Sequence, residues 1–89
     1  MPNELANTEA RVNITWNGQN GDLSDPVHYD STDDDVMSWA AEAVRNGDVA
    51  GIRADASVDF SNYVIDRFAA TEDRPWNQIN IRPKTPFGA

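Results

Sequence analysis

An 89-residue chain with 39% hydrophobic and 25% charged residues has the composition of one small folded domain and not that of a disordered tail. Fifteen acids against seven bases give a formal net charge of -8, a surface that repels phosphate backbones and anionic lipid and so argues against nucleic acid and membrane as partners. The absence of cysteine removes disulfides, thiolate metal ligands and thiol nucleophiles together.

Residues 1–10 are polar and aperiodic and read as a flexible N-terminal arm. They lack the basic n-region and apolar h-region of a signal peptide. With no cysteine, this makes a cytoplasmic location the expected one. From Arg11 the pattern changes. Val12, Ile14 and Trp16 alternate with Asn13, Thr15 and Asn17, the period of a half-buried strand. Asn17-Gly18 and Asn20-Gly21 tolerate positive φ and predict a hairpin turn. A second strand is expected near 26–30, where Val27 and Tyr29 alternate with His28 and Asp30. The connecting loop is then longer than the tight minimum.

The strongest local signal comes next in the chain. Ser31 or Thr32 can cap a helix, and Asp33, Asp34 and Asp35 suit the positive end of its dipole. Val36, Ala40, Ala43 and Val44 form one apolar stripe, flanked by Met37 and Trp39. Asn46-Gly47 supplies the stop. Residues 48–57 read as loop, with Ile52 tucked into the core. Val58, Phe60 and the run 63–68 contain a third strand with apolar groups on both faces, which suits a central position. Ile79 and Ile81 alternate with Gln78, Asn80 and Arg82 in a fourth. Pro83 and Pro86 then turn 83–89 into an extended tail.

Catalysis needs a nucleophile with a base, paired carboxylates, or a metal cluster. His28 is the sole histidine and reads as an exposed strand residue. The Asp33-Asp34-Asp35 run lacks the spacing of a calcium loop and reads as helix capping. Residues 17–25 carry side-chain oxygens at close intervals but read as a hairpin loop. Gly18 and Gly21 lack the Gly-Lys-Ser/Thr ending of a phosphate loop. No catalytic residue, metal or cofactor is therefore expected, and the chain is read as a binding protein and not an enzyme. Trp16 and Trp39 fit the faces that build the core. Trp76, after Pro75 in a polar turn, is a candidate anchor for a partner, as is Phe87 in the tail.

Taken together, Val12-Ile14-Trp16 with Val27-Tyr29, the helix from Val36 to Val44, the strands around 63–68 and 79–81, and the tail containing Gly88 resemble the β-grasp fold of ubiquitin-like proteins. The resemblance implies an α+β domain over 11–82, a ββαββ mixed sheet with one helix packed on one face. It also implies a modifier or adaptor acting through protein–protein binding. In such modifiers a C-terminal glycine is activated by an ATP-dependent partner enzyme. Gly88 stands at the matching position, removal of Ala89 would free it, and Lys84, the sole lysine, is the candidate acceptor. The alternative is an acidic interaction protein, an inhibitor or structural subunit, that meets a basic partner.

Overall fold

A computed structural model describes residues 8–84. Strand β1 (Glu9–Trp16) turns through Asn17 and Gly18, whose φ values are 53° and 76°, into β2 (Gln19–Asp22). Two successive positive φ values make a tight turn that matches strand twist. The expected long hairpin loop is thus replaced by a two-residue turn. Residues 19–22, read as loop for want of apolar side chains, are a strand. What holds them is polar. Asn13 and Asn20 exchange side-chain amide bonds at 3.0 and 2.8 Å, and the Asn13 amide also donates to Asp22 at 2.8 Å.

β3 (Val27–His28) pairs with the start of β1 along the same edge as β2. Continuing the β2 register would set Ala10 opposite Asp25, but Ala10 faces Val27, so two extra residues bulge outward between β2 and β3. The predicted second strand is therefore shorter than expected. β1 begins at Glu9, inside the segment assigned to the flexible arm, because Ala10 is buried and paired with Asn77.

Helix α1 (Asp33–Asn46) forms as its local chemistry dictates. Thr32 caps it by accepting from the Asp35 N–H at 3.1 Å. Gly47, at φ 74°, closes it, and the Gly47 and Asp48 N–H groups bond the carbonyls of Val44 and Ala43. β4 (Tyr63–Phe68) and β5 (Asn77–Pro83) complete a five-stranded mixed sheet in the order β2-β1-β5-β4. β1 and β5 run parallel in the middle, and β4 is antiparallel to β5 at one edge. The central position expected of the third strand is thereby overturned. Both its faces carry apolar groups because Val64 and Phe68 stand away from the helix, while one helix-side position is given to Arg67. It crosses to the start of α1, donating to the Tyr29 and Ser31 carbonyls at 2.7 and 2.6 Å and to Asp33 at 2.7 Å. β5 also includes Pro83, which the tail was expected to claim.

The core lies between α1 and one sheet face. Val12, Ile14, Ile79 and Ile81 share one buried cluster with Val36, Ala40, Ala41 and Val44. Fully burying each larger side chain contributes about 1.5–3 kcal/mol. The connection between α1 and β4 adds Val49, Ile52, Val58 and Phe60 without forming a strand of its own. Trp16 half-buries against Phe60 and Tyr63, with ring centroids 5.4 and 5.7 Å away. That connection also folds over the outer edge of β2. A Cβ on Gly21 would strike the Ala50 carbonyl, and one on Gly51 the Asn20 carbonyl. Asn77, only 8% exposed, donates to the Glu9 carbonyl at 2.9 Å and accepts from the Ala70 N–H at 3.0 Å, fixing the start of the central pair. Among the described residues, no helix is long and apolar enough to cross a membrane.

Candidate functional site

Two surface regions present aromatic groups. The first is a groove between α1 and the β2–β3 bulge. Helix geometry places Trp39 there. At about 100° per residue, Val36, Ala40, Ala41 and Val44 centre the buried stripe on the Met37 side and leave Trp39 on the opposite flank, 43% exposed. The expectation that Trp39 belongs to the core is thus overturned. It shares its flank with Glu42 and Asn46. Across from them, the bulge supplies Leu23, Pro26 and Val27, and the groove between holds about 310 Å³.

The rim of this groove is acidic. Asp25, Glu42 and Asp48 line it, and no Lys, Arg or His does. None of these carboxylates makes a hydrogen bond or ion pair within the described residues, in contrast to Asp33, held by Arg67, and Asp66, held by Arg82. The Trp39 indole N–H is likewise without a partner among the described residues. Each of these groups has its interaction capacity intact.

The second region is the sheet face away from α1. Its aromatic corner contains Trp76 and Phe68, the latter 44% exposed. Trp76 is already engaged: the Arg11 guanidinium sits 4.3 Å from its ring centroid, and its indole N–H donates to Gln78 at 2.9 Å. Arg74 holds the turn, bonding the carbonyls of Ala69 at 2.7 Å and Trp76 at 3.1 Å. The structure therefore places Trp76, singled out in the sequence, half-buried in a brace within the chain. Lys84 is exposed at the far end of β5, roughly 25 Å along the strand direction from Trp76. Phe87 and Gly88 lie outside the described residues.

His28 is exposed, and its Nδ1 accepts from the Asp30 N–H at 3.2 Å. Asp55 is a latch: Ser57 donates from its hydroxyl at 2.6 Å and its N–H at 2.9 Å, and the Trp16 indole donates at 2.9 Å. The Ser57 hydroxyl foremost, then the Trp16 indole, holds the Asp55 carboxyl below its ordinary range. Asp59 is lowered chiefly by the Ser61 N–H, and burial raises the Tyr63 phenol. Among the described residues no group of three or more His, Asp or Glu side chains is placed to hold a metal ion.

Sequence reasoning missed the groove. One signal could have found half of it: Trp39, Glu42 and Asn46 fall at i, i+3 and i+7, on a polar flank of the helix. The other half comes from the β-bulge, which no local pattern announces. The chain matches no protein-family model, no curated protein and no solved structure.

Proposed function

We propose that the chain is a ubiquitin-like modifier or adaptor, acting by binding other proteins and not by catalysis. One observation carries the reading. The chain runs hairpin, helix and two further strands, with its last strand seated beside its first in mid-sheet and the helix over one face. Taking β3 as the continuation of β2 along one edge of β1, this supports a ββαββ β-grasp-like order. Arg82 and Pro83, which end β5, and Lys84 just beyond are all exposed, so the sheet ends at the surface there.

In the modifier version, Gly88 is the residue an activating enzyme would handle, because a side-chain-free residue threads a narrow cleft. Lys84 is the amine candidate for linkage. Intact mass measurement of the protein isolated from its native cells tests this. The expected result is a species ending at Gly88, or one joined to a second protein through an amide bond. Ala89 in place on all molecules, with no linked species, would remove conjugation and leave the adaptor version.

The uncompensated carboxylates around Trp39 favour a second reading, an acidic interaction protein unrelated to conjugation. It expects one basic protein partner, captured at low salt and released at high salt. Both readings go with a cytoplasmic setting and with a protein, not a nucleic acid, as partner.

A further inference from the structure

We propose that the groove between α1 and the β2–β3 bulge docks a lysine- or arginine-bearing segment of a partner protein, one cation lying against the Trp39 indole within the ring of Asp25, Glu42 and Asp48. The proposal rests on the binding reading above and adds the surface and the chemistry. It does not depend on the tail, so it and conjugation fail separately.

The groove selects its occupant by what it offers and what it lacks. Leu23, Pro26, Val27 and Ala43 provide apolar walls suited to the methylene stem of a long basic side chain. The exposed indole of Trp39 provides a π face, which attracts a cation through its quadrupole. Three carboxylates without partners among the described residues provide the countercharge, and no basic side chain lines the groove to supply it from within. Arg45 is on the other flank of α1, beside a different cleft with Ser57 and Asp59.

Other occupants fit worse. An apolar segment would cover the rim and desolvate three carboxylates without compensation. An acidic segment would be repelled. A bare metal ion finds apolar walls and, among the described residues, no cluster of ligands. A second copy of this chain brings its own net charge of -8 to an acidic rim.

The test uses the full chain, isotopically labelled, titrated with a capped hexapeptide of alternating leucine and arginine. Amide shifts and Trp fluorescence are followed between about 0.02 and about 0.5 M salt. The largest shifts are expected at 23–27 and 39–48, with affinity falling roughly tenfold or more across that range. Trp39→Ala should weaken binding roughly two- to fivefold.

Because Trp39→Ala also alters packing, a shape-preserving pair decides the matter. Asp25→Asn with Glu42→Gln should weaken binding far more than Glu72→Gln with Asp73→Asn, which removes the same charge from the turn between β4 and β5. Equal loss in the two pairs would overturn the proposal, since it would mean general attraction to an acidic surface. Shifts centred elsewhere would also overturn it, as would equal binding of a leucine–glutamate peptide or of spermine alone. So would self-association through this groove in sedimentation runs without peptide.

Discussion

Gly21→Ala tests whether the connection after α1 lies across β2. Gly21 has no positive φ, so an alanine there suffers no backbone penalty and, in open space, would gain about 0.4–1 kcal/mol by restricting the unfolded chain. The structure predicts the reverse sign. A Cβ at this position runs into the Ala50 carbonyl and comes within 2.8 Å of Val49 Cγ1. Neither can retreat freely, because Val49 is buried and Gly51 rests on the Asn20 carbonyl from the same loop. Forced overpacking of this kind costs about 1–3 kcal/mol. Against a total stability of about 5–15 kcal/mol, a loss near 2 kcal/mol is easily read. In urea, with a slope of about 1 kcal/mol per molar for a small domain, the midpoint should fall by about 2 M. Gly18→Ala is the control: its φ of 76° disfavours alanine, but nothing lies within 4 Å, so about 1 kcal/mol is expected. If Gly21→Ala is as stable as the parent, or loses less than Gly18→Ala, the loop does not cover β2.

Three further outcomes rest on named contacts. Ile79→Ala, at a fully buried site on central β5, should cost about 2–5 kcal/mol in denaturant unfolding; a loss below 1 kcal/mol, itself about the size of an Ile→Val change, would contradict that burial. Arg67→Ala removes three hydrogen bonds that tie β4 to the entry of α1 and should cost about 1.5–3 kcal/mol. Arg67→Lys should recover only part, and hydrogen exchange at 29–33 should quicken in both; unchanged exchange there would refute the strap. Asp55 has a depressed folded pKa, so its stabilisation is complete above the ordinary carboxylate range and is lost as pH falls through the lower folded value. Asp55→Asn should therefore flatten the acid limb of the stability–pH curve, and parallel curves for the two proteins would show that the latch does not titrate in this way.

What the sequence discloses is what neighbours in the chain decide. Thr32, the three aspartates and Gly47 settle the helix within one stretch, and the alternation of Val12 and Ile14 settles β1. β2 escaped because Gln19-Asn20-Gly21-Asp22 has no apolar residue; its strand character comes from the amide pair with Asn13 and from the loop packed over Gly21. Apolar groups on both faces of β4 suggest mid-sheet, but the strand lies at the edge, and its charged pair finds partners far along the chain, Arg67 at the helix entry and Asp66 on Arg82. Trp39 adjoins the predicted stripe, yet the buried face is rotated toward Ala41, which leaves the indole exposed. Of the candidate site, only the helical half was within reach of a periodicity reading.

The parallel pairing of β1 with β5 has a consequence for how the molecule is made. Ala10 and Val12 find their partners at Asn77 and Ile79, near the other end of the described chain. The turn at Asn17-Gly18 and helix α1 can form as soon as they emerge, within microseconds. The inner flank of β1, however, stays unzipped until β5 has been synthesised. Closing so long a loop is the slow step that non-local topology imposes. A nascent chain halted before β5 would display Val12 and Ile14 on an unpaired strand, the species that holding chaperones or neighbouring chains would meet first.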